Sequence, residues 1–215
     1  MIQQNLFYAI VGSKSYGADL DGVSDFDRKF VYAQHPNDIL GFRYREHIEI
    51  DKDHIGYELS RFVSFLTNSN PNALELINSP VDCIENYHPA FRPIIENADK
   101  FLSKNAANSF LGFATRCLKK HVEDNNSNNK SLYHAVRLID MAREIATEKK
   151  VIVRRPNAVH LKQIRQNGLQ DLEGLNNEIK EVYKLFEESD LPQTVDMDFA
   201  HDLVIEVRNK IDWNI

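Results

Sequence analysis

The hydrophobic period of this chain changes once, near residue 56, and the change points to a small sheet followed by a helical body. Before it, apolar residues come in short runs or alternate. Leu6 to Val11 is an apolar run that stops at Gly12-Ser13. Phe26 to Tyr32 is a second strand candidate, ending before His35-Pro36. Arg45 to Ile50 is a third, with Ile48 and Ile50 alternating against Glu49. After it, Leu59, Phe62, Val63 and Leu66 fall at i, i+3, i+4 and i+7, one face of a helix. Asn70-Pro71 opens the next helix, with Asn as cap and Pro in the first turn. Helices are predicted over 90–102, 105–122 and 131–147, with a short one ending near Gly168. Two amphipathic helices follow, striped by Leu172, Leu175, Ile179, Val182 and Phe186, and by Phe199, Leu203, Val207 and Ile211. The predicted class is α+β, a small mixed sheet with flanking helices and then an α-helical C-terminal half.

Charge narrows the partners. The formal net charge is -6, which disfavours indiscriminate binding to phosphate backbones, because that needs clustered Lys and Arg. The balance is uneven: residues 130–165 carry nine Lys or Arg against three acids, while 171–215 is acidic. No apolar run approaches the ~20 residues of a membrane span, and no secretory leader is evident. The two cysteines, Cys83 and Cys117, lack metal-type spacing. A reduced, cytoplasmic setting is the expectation.

Chemistry concentrates at three acids, Asp25, Asp27 and Asp53. Residues two apart on a strand share a face, so Asp25 and Asp27 are expected side by side. Two close carboxylates repel unless a cation lies between them. Hard oxygen donors suit Mg²⁺. Lys29 follows at the same two-residue step, placed to meet a carboxylate or a phosphate. Upstream, Gly12 lets the backbone approach a ligand, and Ser13 adds a hydroxyl and turn amides that can bind phosphate oxygens. Taken alone, Asp-x-Asp reads as a solvated edge strand or a turn; Gly12-Ser13 and Asp53 are what turn it toward metal. Lys130, His134 and Arg137 stand at i, i+4 and i+7. They form either an exposed polar helix face or a basic wall toward the site.

Gly12-Ser13 followed by Ser24-Asp25-Phe26-Asp27 resembles the nucleotidyltransferase signature of the DNA polymerase beta-like superfamily. The longer text GSKSYGADLDGVSDFDRKFVY is similar to the branch of nucleotidyltransferases associated with RNA ligases. DHIGYELSRFVSFLTNSNPNALELINSP, KSLYHAVRLIDMAREI and VHLKQIR extend the likeness over most of residues 8–165. The branch pattern Asp-x-x-Gly-aromatic-acid-Leu aligns Asp53 as the third carboxylate, expected on a later strand, and leaves Asp51 open. Lys29 stands where Arg is more usual.

The polar, Asn-rich stretch 123–130 reads as a linker between residues 1–122, the catalytic domain on this resemblance, and a helical domain over 131–215, whose residues 171–215 the resemblance does not cover. The resemblance implies transfer of a nucleoside monophosphate from an NTP to a hydroxyl of RNA or tRNA. Two Mg²⁺ ions, or Mn²⁺ in their place, would be held by Asp25, Asp27 and Asp53. Gly12, Ser13, Ser24, Lys29, Lys130, His134 and Arg137 would bind the nucleotide. Two other readings keep the fold and change the role: a non-catalytic nucleotide-binding or regulatory module, and an antitoxin-like enzyme that modifies a protein. Oligomeric state is left open.

Overall fold

Residues 3–20, 26–169 and 171–213 are described by a computed structural model. Ser24 and Asp25 lie outside the described residues.

The chain opens with β1 (Gln3–Ile10), a short helix α1 (Ser13–Tyr16), β2 (Arg28–Gln34), α2 (Pro36–Leu40), β3 (His47–Asp51) and β4 (His54–Glu58). Helices α3 (Leu59–Thr67) and α4 (Pro71–Ile77) follow, then β5 (Ile84–Tyr87) and α5 (Arg92–Glu96). The remainder is helical: α6 (Gly112–Glu123), α7 (Asn129–Glu148), α8 (Ala158–Asn167), α9 (Leu172–Glu188) and α10 (Met197–Asn209). The described strands form one mixed sheet in the order β3-β4-β2-β1-β5, in which only β2 and β4 run parallel. The chain is therefore α+β, as its change of period predicts.

Strand alternation sorts the sheet into two faces. Phe7, Ala9, Val31 and Ala33 are buried in the core with Phe62 and Leu66 of α3 and with Phe91. The other face carries Tyr8, Phe30 and Tyr32, where Tyr8 stacks on Phe30 at 5.5 Å between ring centroids. Phe30 lies over Gly56, where a Cβ would collide with its ring. The core continues without a break into α6, α7, α9 and α10. Helix α7 lies at its centre, with Leu132, Ala135, Leu138, Met141, Ala142 and Ile145 all at 0% exposure. A helix apolar around most of its circumference has to be covered on several sides, and α6, α8 and α9 cover it.

Local chemistry sets the helix ends. The Asn70 side chain accepts hydrogen bonds from the Asn72 and Ala73 amides, and Pro71 follows at the first position. Asp171 caps α9 and Asp196 caps α10. The polar run at 123–130 is a tight helix-helix corner, with positive φ at Asn125 and Asn126 and with Asn128 capping α7.

The second strand begins at Arg28 rather than Phe26, so Asp27 lies just before it; two further expected elements shift, and two strands enter that no pattern announced. The third strand begins at His47 rather than Arg45. The continuous helix expected over 90–102 is a 3-10 turn at Pro89–Phe91, a short α5 and a second 3-10 turn at Ala98–Phe101, around Pro89 and Pro93. Strand β4 precedes α3 directly, and its five residues carry too little pattern to stand apart from the helix. Strand β5 is an edge strand with three of its four residues exposed, so it lacks the apolar alternation that would mark it.

The fully buried Glu58 fixes the join between sheet and C-terminal helices. Its carboxylate accepts from the Ser60 amide at 2.7 Å, capping α3, and from Arg208 of α10 at 2.6 Å. Replacing Arg208 by Met would leave that carboxylate without its cation and should cost roughly 3–5 kcal/mol in urea unfolding. Adding Glu58→Gln should recover much of the loss. A cost for Arg208→Met below about 1 kcal/mol, the range of an exposed pair, would show that the ion pair is not what fixes this join.

Candidate active site

Three chain segments meet where β1 ends. The Val11 amide donates to the Asp27 carbonyl at 2.9 Å, and the Arg28 amide donates to the Asp53 carbonyl at 2.6 Å. The register pairs Ile10 with Arg28 and Arg28 with His54. Gly12, Asp27 and Asp53 thus fall at one sheet edge, together lining a cavity of about 230 Å³. Its wall also includes Lys29, Tyr16, Glu75, His134 and Arg137.

Gly12 has φ 72 and ψ -151, a backbone region that is essentially glycine's alone. A Cβ there would also collide with the Asp27 carboxylate. The Asp27 side chain is therefore seated against bare backbone, which a side chain at position 12 would displace. Ser13 opens α1 immediately beside Gly12 but does not line the cavity.

Asp53 sits in the β3–β4 turn rather than on a strand. Its amide donates to the Asp51 carboxylate at 2.9 Å, and its own carboxylate meets Lys52 at 3.3 Å. Asp51 is the more exposed of the two, 62% against 30%, and lies off the cavity. Of these neighbours, Asp53 shares the cavity lining with Asp27 and Asp51 does not.

Helices close the other side. Glu75 of α4 accepts hydrogen bonds from the Tyr16 hydroxyl and from Arg137 of α7, and all three residues are buried. The Arg137 guanidinium lies 4.1 Å from the Tyr16 ring centroid. Burial works against the Arg137 charge, but Glu75, Tyr16 and Tyr133 more than offset it and hold its pKa above the ordinary value. The Arg137 Nε atom is buried with no hydrogen-bond partner among the described residues. Burial lowers the Lys29 pKa, and Glu75 and Asp27 work in the opposite direction. His134 is pushed down to about 3 by burial first, then by Arg137, Lys130 and Arg165. It is a neutral imidazole at the cavity wall.

The helix face proposed from spacing is therefore split. His134 and Arg137 line the cavity, while Lys130, in the first turn of α7, is exposed and outside it. Arg137 is neither a polar surface residue nor a simple basic wall, because it is committed to Glu75. Sequence reasoning assigned no role to Glu75 or Tyr16. The available signal was a lone carboxylate among Ala73, Leu74, Leu76 and Ile77, since an acid on an apolar helix is rarely buried unpaired.

Among the described residues no group of three His, Cys, Asp or Glu side chains is placed to hold a metal ion. Asp27 and Asp53 do supply hard carboxylate oxygens at one cavity. Mg²⁺ commonly takes one or two protein carboxylates and leaves its other positions to water and substrate phosphates. The donor set fits such an ion.

The RNA repair pathway DNA polymerase beta family matches the chain over residues 3–196. Among solved structures, a nucleotidyltransferase-like protein from Exiguobacterium sibiricum is similar at 12% identity and a TM-score of 0.29, over 96% of this chain and 68% of its own. No curated protein matches.

Gly12→Ala should lower the free energy of unfolding by about 1–3 kcal/mol, through backbone strain at a glycine-only conformation. Urea denaturation measures this, and an unchanged midpoint would contradict the backbone assigned to position 12. His134 gives a pH signature. Its folded pKa lies below its unfolded value of about 6.5, so the unfolded state binds the extra proton and stability falls as pH drops from about 6.5 toward 3. His134→Gln should therefore gain stability relative to the unmodified chain over that window, seen in thermal melts at pH 7 and pH 4.5. A constant difference between the two proteins would contradict the burial of the imidazole.

Proposed function

The chain belongs to the RNA repair pathway DNA polymerase beta family, and on that premise we propose that it transfers a nucleoside monophosphate from an NTP to a hydroxyl of RNA or tRNA. The observation that carries this reading is Asp27 seated on the bare Gly12 backbone, beside Asp53, in a cavity walled by Lys29 and Arg137. Asp27 and Asp53, with Asp25 from the sequence motif, would hold two Mg²⁺ ions, or Mn²⁺. Those ions would neutralise the triphosphate and lower the pKa of the attacking hydroxyl.

The chain's own groups do the rest. Gly12 admits phosphate oxygens close to the backbone, and Ser13 and Ser24 flank that approach in sequence. The Lys29 ammonium, partly desolvated, is a strong point charge for a phosphate. Arg137 lines the same cavity, and its buried Nε lacks a hydrogen-bond partner among the described residues, so a hydrogen bond to an anion reaching it would satisfy that donor. Neutral His134 offers a hydrogen bond without adding charge. Lys130, exposed at the rim of α7, adds only long-range attraction. Asp53 takes the proton of the attacking hydroxyl. The new bond forms between that oxygen and the α-phosphorus, while the α–β phosphoanhydride bond breaks and pyrophosphate leaves with the bonding pair. Positioning and charge neutralisation supply the acceleration.

On this reading residues 1–122 are the catalytic part, and 131–215 contribute through α7, whose His134 and Arg137 complete the wall. No helix among the described residues is long and apolar enough to cross a membrane. Both cysteines are free and buried, in keeping with the cytoplasmic setting we propose.

The test is incubation with each labelled NTP, Mg²⁺ and single-stranded RNA or tRNA, following pyrophosphate release and label on the acceptor. Asp27→Asn and Asp53→Asn should each reduce transfer by at least about 100-fold while leaving the thermal midpoint unchanged or higher, because mutual carboxylate repulsion is relieved. Label on a co-purifying protein would favour the protein-modifying alternative. Full activity in both variants would refute the carboxylate assignment.

A further inference from the structure

The catalytic cavity is small. About 230 Å³ falls below the ~300–1,000 Å³ of ordinary small-ligand sites, so a nucleotide and its acceptor must extend past the rim. On one side they meet a second hollow of about 470 Å³, and Asn72 and Phe113 stand on the wall shared by the two.

The composition of this second hollow departs from that of the chain. The net charge of the protein is -6, yet among the described residues no carboxylate lines the hollow. It holds two guanidinium–aromatic pairs instead. The Arg61 guanidinium lies 4.5 Å from the Phe65 ring centroid, and that of Arg116 lies 5.5 Å from Phe113. Arg61 also pairs with Glu46 at 3.4 Å, but both partners are well exposed and Glu46 is not part of the lining. Such a pair is weak enough for a phosphate to replace it. Asn68 and Asn72 add exposed amides along the same path.

Aromatic faces interleaved with cations are what single-stranded polynucleotides bind: bases stack on rings and guanidinium planes while phosphates meet the charge. A duplex presents its bases already stacked and gains nothing from such rings. A free nucleotide has no need of two separated pairs. We infer that the groove between α3 and α6 holds the single-stranded end of the acceptor, and that the strand crosses the Asn72–Phe113 wall to bring its terminal hydroxyl to Asp53. The inference rests on the nucleotidyl-transfer reading and adds the acceptor's path and its single-stranded form.

The experiment uses the full chain with two probes. A fluorescently labelled 12-nucleotide single-stranded oligoribonucleotide reports the groove by anisotropy, and calorimetry with an NTP and Mg²⁺ reports the cavity. In Arg61→Gln/Arg116→Gln, oligonucleotide affinity should fall at least tenfold. The slope of log K against log salt should become shallower by about 1.4, two contacts at about 0.7 each. NTP affinity should stay within twofold. Undiminished oligonucleotide binding in the double variant would overturn the inference, as would equal affinity for a duplex of the same sequence. Wild-type protein that binds NTP but no single strand also overturns it and leaves the transfer reading intact. Wild-type protein that binds the single strand through these arginines but no NTP supports the groove and removes the transfer reading.

Discussion

A buried carboxylate, Glu75, ties together the elements that enclose the cavity. Its two oxygens are taken by Tyr16 from α1 and Arg137 from α7, so helices far apart in sequence are held to α4 at one point. Withdrawing such charges from water costs several kcal/mol per ion unless hydrogen bonds replace the lost solvation. That cost makes the arrangement close to all-or-none: with Tyr16 and Arg137 in place the carboxylate is accommodated, and with either removed it is not. The cavity wall inherits that rigidity. Lys29 is desolvated and His134 neutral because they lie against this closed, charged floor rather than against solvent.

Opposite that floor the sheet supplies the carboxylate-bearing edge by register alone. The Val11–Asp27 and Arg28–Asp53 backbone hydrogen bonds align three strand ends, so each segment delivers one residue to the same place. Gly12 is the tightest constraint among them, since its backbone conformation and the Asp27 carboxylate both exclude a side chain. Sheet edge and helix floor differ in character. The edge carries carboxylates and open backbone, whereas the floor pairs the Arg137 cation with the Glu75 carboxylate, and Lys29 brings a further cation to the wall. On the proposed reading, cations on the edge carboxylates and the Lys29 ammonium would meet a triphosphate lying between them.

Local pattern made part of this legible beforehand. The change from strand to helical period fixed the α+β layout, because each periodicity belongs to a few consecutive residues. Gly12-Ser13 after one strand and Asp27 just before the next were visible for the same reason, while the pattern favoured Asp53 and left Asp51 open. What stayed hidden was non-local or weakly patterned. Glu75 and Arg137 are 62 positions apart, and nothing in either segment names the other. Spacing grouped Lys130 with His134 and Arg137, but a shared helix face does not reveal where the cavity ends, and Lys130 falls beyond it. Strand β5, exposed at the sheet edge, has no apolar rhythm to read, and Asp53 comes from a turn whose position depends on β4 pairing with β2. Ser24 and Asp25, outside the described residues, remain assignments of the sequence motif.

On the proposed reading, Asp27 and Asp53 act together on a cation-bound triphosphate beside Gly12. The most direct measurement is a crystal structure with a non-hydrolysable NTP analogue and Mn²⁺, locating the metal by its anomalous scattering. Anomalous peaks are expected in contact with the carboxylates of Asp27 and Asp53, with the triphosphate between Gly12 and Lys29. Peaks elsewhere, or a triphosphate bound away from this sheet edge, would contradict that reading.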